Sequence, residues 1–175
     1  MTKEVFIKDV MVKPTTIAKS AKITEALDKM LDAGLDPLIA VNNNTVVGTV
    51  SRQAIAEKLG SKQNSGIAPT AIHVASVVEE EFTSVYPDES INVLIPLLQQ
   101  YKLVVVYDAD HKLIGQVSAG DLLKKYQPTD GLTGAIEKFV TIESDERVVP
   151  LRRRVLDDNI TRFVVTEHEK YTGIV

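Results

Sequence analysis

The run Gly115-Gln116-Val117-Ser118-Ala119-Gly120-Asp121 holds the residues whose types and spacing are best suited to chemistry. Ser118 closes a β-rich stretch and is a good helix N-cap. A helix N-terminus offers unsatisfied N–H groups and a partial positive charge, so the turn from Ser118 to Gly120 can receive a phosphate or another polar ligand group. Gly120 lets a ligand come close to the backbone. Asp121, one turn into that helix, presents two acceptor oxygens, which suits bidentate capture of a vicinal diol such as that of ribose. An architectural reading explains the same two residues: Ser118 as an N-cap and Asp121 as a first-turn acid that complements the helix dipole. The motif alone does not choose between the two.

Other chemistries lack their residues. The chain has no cysteine, hence no disulfide framework, thiolate metal cage or cysteine nucleophile. His73, His111 and His168 lie at a strand start and in two turns, and none has a carboxylate or nucleophile at a spacing that catalysis would need. Arg152-Arg153-Arg154, beside Leu151 and Val155, reads as the solvated face of an amphipathic helix rather than a phosphate clamp. Twenty basic against 24 acidic residues give a net charge of −4, which disfavours the broad basic surface that duplex nucleic acid needs and leaves room only for a local anion pocket. The amino terminus is interrupted by Lys3, Glu4, Lys8 and Asp9, and no apolar run approaches the roughly 18 residues of a membrane span. A soluble, cytoplasmic protein with no nucleic-acid or membrane partner is expected.

At 175 residues and 44% hydrophobic, the chain can form one ordinary domain or two small ones around a buried core. The elements that must position Ser118 recur along it. Ile17, Val85 and Ile142 are each followed six residues later by Ile23, Ile91 and Val148, and then, 24 or 25 residues on, by Gly48, Gly115 and Gly173. Such self-similarity marks a repeat, here of βαββα size rather than a solenoid period. Ile23, Ala26, Leu27, Met30 and Leu31 stripe one face of a helix that Gly34 can end. Ile91, Leu94, Ile95 and Leu98 repeat the stripe after Asp88 or Ser90, with Pro96 expected to kink or shorten it. Val148, Leu151, Val155 and Leu156 repeat it again, with Ser144 or Asp145 as cap and Pro150 early in the helix.

After each helix come two short β-rich runs around a polar turn, giving three hairpins: Leu38–Val41 with Val46–Val50, Leu103–Tyr107 with Leu113–Val117, and Phe163–Val165 with Thr172–Val175. In the first two units Ser51 or Ser118 then opens a second helix, carrying Ile55 and Leu59 or Leu122 and Leu123. Residues 60–69 and 127–134 read as linkers. The repeats therefore span 1–62, 70–127 and, in part, 134–175. Ile174-Val175 would end inside a strand, so a longer parent protein is expected.

A helix, a hairpin and a second helix opened by a glycine, two apolar residues, Ser or Thr and then an aspartate, in tandem, resembles the CBS domain family, named for cystathionine β-synthase. The second unit carries that motif from Gly115 to Asp121, with Gln116 in the first apolar place, and Ile7–Met11 with Pro14–Ile17, like Val74–Val78, resembles the family's first strand region. The resemblance implies an α/β (α+β) fold of tandem βαββα repeats, two of them packed sheet to sheet as a pseudo-twofold pair. It also implies homodimers of such pairs, a regulatory rather than catalytic role, no required cofactor, and clefts that take adenosine compounds: AMP, ADP, ATP, NAD(H) or S-adenosylmethionine. Carried over, Ser118 would bind phosphate and Asp121 ribose, with Gln116, Val117 and Gly120 beside them. Lys13, Pro14, Thr15 and Thr16 of the sister unit, together with Tyr101 and Lys102, would line the adenine and the anion path. The first unit departs from the pattern, because Ala54 stands where the aspartate belongs. The resemblance equally allows a module that only dimerises and docks a partner enzyme or transporter.

Overall fold

Three short sheets repeat one register. In the first, β1 (Thr16–Ala18) runs parallel to β2 (Leu38–Asn42), which pairs antiparallel with β3 (Thr45–Val50). The second sheet, of β4 (Thr83–Val85), β5 (Leu103–Tyr107) and β6 (Leu113–Ser118), has the same order, as does the third, of β7 (Thr141–Glu143), β8 (Val164–Glu167) and β9 (Lys170–Ile174). Ile17 faces Ala40, Val85 faces Val106 and Ile142 faces Val165, and those partners in turn face Gly48, Gly115 and Gly173. In every sheet the register slips immediately after the residue opposite the glycine. Ile17, Val85 and Ile142 are all buried. These observations come from a computed structural model that describes residues 4–61, 66–125, 140–148, 151, 154 and 162–175. The chain divides into two compact units, Met1–Pro128, which holds the first two sheets, and Thr129–Val175, which holds the third.

In the first unit, α2 (Ile23–Ala33) ends on Gly34 with φ 61°, the left-handed C-cap that its sequence predicts. Ile23, Ala26 and Met30 are buried, but Leu31 is 75% exposed. At 100° per residue, Leu31 lies about 80° around the helix from Ile23, at the margin of the stripe. The second stripe is split into a 3-10 turn, Ile91–Val93, capped by Ser90, and α4 (Leu94–Gln100). That division places Pro96 in the first α-turn, where its missing N–H breaks no bond. Helices α3 (Arg52–Gly60) and α5 (Ala119–Lys125) follow Ser51 and Ser118. Of the third stripe, Val155 and Leu156 lie outside the described residues, as do Pro150, Arg152, Arg153 and the 127–134 linker, and Val148 is exposed rather than buried. Arg154 sits 3.8 Å from Glu146 and over the ring of Phe163.

Side-chain alternation along β2 and β5 builds three cores. Leu38 and Ala40 join α2 and α3 on one face of the first sheet, and Val104 and Val106 join α4 on the outer face of the second. The opposite faces, Ile39 with Val46 and Leu103 with Val105, meet each other. The two sheets of this unit are thus packed face to face between outer helical layers.

Two segments expected as strands are helical turns, and each packs on the other repeat. Residues Ile7–Val10 form α1, whose Ile7 and Val10 are buried with Val85, Ile91 and Leu94 of the second repeat. Val74–Ser76 form a 3-10 turn, and Ile72, Val74 and Val77 are buried with Ile17 and Ile23 of the first. Backbone bonds fix both exchanges: Ile7 N–H to Glu89 C=O at 2.9 Å and Val74 N–H to Ala21 C=O at 2.8 Å. The Lys8 ammonium donates to Asp88 at 2.6 Å, and this hydrogen bond and charge hold it protonated above its ordinary pKa.

Candidate functional site

The exchanged segments run across the motif glycines. Thr49 and Glu79 trade backbone hydrogen bonds at 2.9 and 2.8 Å, and Gln116 and Val12 do the same at 3.0 and 2.9 Å. A Cβ on Gly48 would strike the Glu79 carbonyl and come within 2.7 Å of Val78, and one on Gly115 would come within 2.8 Å of the Met11 sulfur. Nothing described lies within 4 Å of the equivalent point on Gly173. The first and second motifs therefore each lie against a strap from the sister repeat.

Beside the second motif the structure brings Gln116 together with the Lys13–Thr16 segment. Gln116 is 1% exposed, its Oε1 accepts the Thr15 N–H at 2.8 Å, and its Nε2 is buried with no partner among the described residues. An unpaired buried donor costs about 1–3 kcal/mol. The Asp121 carboxylate, 7% exposed, is turned back on its own helix: Oδ2 accepts the Ser118 hydroxyl at 2.6 Å and the Ser118 N–H at 3.0 Å, and the Asp121 N–H reaches Ser118 Oγ at 3.3 Å. This reciprocal capping box is the architectural role that the sequence left open. Val117 points into the second helical core, so its side chain faces away from any cleft. Gly120 is exposed.

A crevice opens at the first motif. A cavity of about 440 Å³ is walled by Pro37, Thr49 and Ser51 of the first repeat and by Glu79–Phe82 and Gln100–Leu103 of the second. Tyr101 and Lys102 thus join Ser51, whereas Ser118, Asp121 and Lys13–Thr16 do not line it. Ser51 Oγ accepts the Ala54 N–H at 3.1 Å and donates to Glu79 Oε2 at 2.8 Å, so a carboxylate from the strap takes up the serine where Ala54 has replaced the helix's own acid. Asp36 Oδ1 accepts the Arg52 N–H at 3.1 Å, and the Arg52 guanidinium reaches the Met30 carbonyl at 3.4 Å. Pro37, Thr49 and Glu79–Phe82 were not singled out from sequence. Carrying Val12–Thr15 through the alignment of Ile17 with Val85 gives residues 80–83, a signal that finds Glu80, Glu81 and Phe82 but not Pro37, Thr49 or Glu79.

No group of three or more histidine, aspartate or glutamate side chains among the described residues could hold a metal ion. His73 Nε2 lies 2.9 Å from Lys22 Nζ, and His111 stacks on Tyr107 with ring centroids 5.0 Å apart. No helix among the described residues is long and apolar enough to cross a membrane.

Paired βαββα repeats, with a crevice formed jointly by the motif end of one and the strap and strand starts of the other, define a tandem-repeat binding architecture. The model of the CBS domain matches residues 7–61 and 74–127, more than half of the chain, and the protein belongs to that family. Its structure resembles protein MJ1225 from Methanocaldococcus jannaschii, described as a putative archaeal homologue of g-AMPK, with a TM-score of 0.78 and 21% identity over 98% of this chain and 69% of that one. It also resembles CBSX2 of Arabidopsis thaliana, solved in complex with AMP (TM-score 0.56, 21% identity, 68% and 93% covered), and a conserved hypothetical protein, GK1048, from Geobacillus kaustophilus (0.61, 13%, 69% and 95%). No curated protein matches the sequence.

Proposed function

We propose that this chain is a regulatory module that binds an adenosine-containing ligand between its paired repeats, with the ligand in the crevice beside Ser51, Tyr101 and Lys102. The cavity carries this reading: at about 440 Å³ it falls within the range of small-molecule sites, and Phe82 and Tyr101 offer apolar surface among polar and charged groups from both repeats. The AMP complex of CBSX2 supports the ligand class. Because both repeats supply walls, a ligand favours whichever relative arrangement of the two it fits better, and its effect is set by that difference in affinity. We read residues 134–175 as a third, partial repeat, and a homodimer of pairs as the route by which occupancy reaches a regulated enzyme or transporter. Catalysis is not part of this role.

Thermal melts of the full chain across AMP, ADP, ATP, NADH and S-adenosylmethionine test the reading. A ligand at one hundred times its Kd adds about 2.7 kcal/mol, enough to raise the midpoint by several degrees. A flat response to the whole panel would overturn it.

One observation favours a second reading, a dimerisation and docking module with empty clefts: Ala54 in one motif and the self-capped Asp121 in the other offer ribose no dedicated carboxylate. Leu31, Ile95 and Leu123 are exposed and would suit such assembly. A concentration-dependent dimer in sedimentation, together with that flat response, is its expected outcome.

A further inference from the structure

The crevice beside Ser51 is acidic. Glu79, Glu80 and Glu81 line it, against one cation among the described lining residues, Lys102. The groups that would receive a phosphate are already engaged: Ser51 between Ala54 and Glu79, the Arg52 N–H with Asp36, and the Arg52 guanidinium with Met30. Phe82, Tyr101 and Leu103 remain as a surface for a flat base. An anionic ligand here meets more negative than positive charge, and each unit charge at contact distance changes affinity by roughly fivefold even at the dielectric constant of water.

Resting on the adenosine reading above, we infer that this crevice selects its ligand by charge: it takes a nucleoside carrying a cationic group of the sulfonium class and turns nucleoside phosphates away. Calorimetric titration of the full chain with S-adenosylmethionine, adenosine and AMP, at low and at physiological salt, tests this. Affinity is expected to fall in that order at low salt, by about fivefold from S-adenosylmethionine to adenosine. The step from adenosine to AMP, whose phosphate carries up to about two charges, is expected to be larger, and both steps to narrow as salt screens the exposed carboxylates. The double variant Glu80→Gln/Glu81→Gln, at two exposed positions, should compress the order, and Lys102→Glu should widen it. AMP binding as tightly as adenosine, or a ratio of S-adenosylmethionine to AMP unchanged in the double variant, would overturn the charge inference and leave the adenosine reading standing. Absence of binding by all three would overturn both.

Discussion

Gly48 shows how a single hydrogen in place of a side chain makes room for the sister repeat. Its φ of 148° and the carbonyl of Glu79 crossing over it both exclude a Cβ, whereas at Gly115 the nearest atom is the flexible end of Met11. Gly48→Ala should therefore cost about 3 kcal/mol or more, Gly115→Ala less, and Gly173→Ala little, in denaturant unfolding of the full chain. Asp121 makes the complementary point. Its carboxylate holds two donors of Ser118, so Asp121→Ala should lower stability by about 1–3 kcal/mol whether or not ligand is present. The spacing of Ser118 and Asp121 announced a helix start and could go no further. A carboxylate three residues after a serine can close on it or open to a ligand, and only the packing around Gln116 and α5 decides which.

At the scale of elements, the sheets and their register were legible because strand alternation and the spacing of Ile17, Val85 and Ile142 encode them directly. The straps were not. Ile7–Met11 and Val74–Val78 are short apolar runs that suit a strand or a buried turn equally, and nothing local says that they leave their own repeat. The partner of each is chosen by shape at Gly48 and Gly115, a long-range contact without a local pattern. Ile7 is completely buried in the core of the second repeat, so Ile7→Ala should destabilise the protein by about 2–5 kcal/mol although it lies outside that repeat in sequence. The loss should appear equally in a probe placed beside Leu94. The Pro96 helix teaches the same lesson in miniature: the proline did not kink a helix, because the chain begins its α-turns just before it.

For the whole molecule, exchange of straps joins the two repeats of the first unit into one cooperative body. Substitutions in either core, such as Ile7→Ala and Val74→Ala, should shift a single unfolding transition rather than separate two. The crevice is a property of this pairing, since its walls come from both repeats. The sequence motif directs attention to Ser118 and Asp121, and the crevice beside Ser51 lies at the counterpart motif, where Ala54 departs from the family pattern. The three glutamates of the strap make the charge of the crevice negative. Titrating the full chain, Tyr101→Ala and Asp121→Asn side by side with S-adenosylmethionine locates the ligand most directly. Tyr101→Ala should weaken binding at least about tenfold while Asp121→Asn leaves it near wild type. Binding lost in Asp121→Asn and retained in Tyr101→Ala would place the ligand at the other motif and contradict the account.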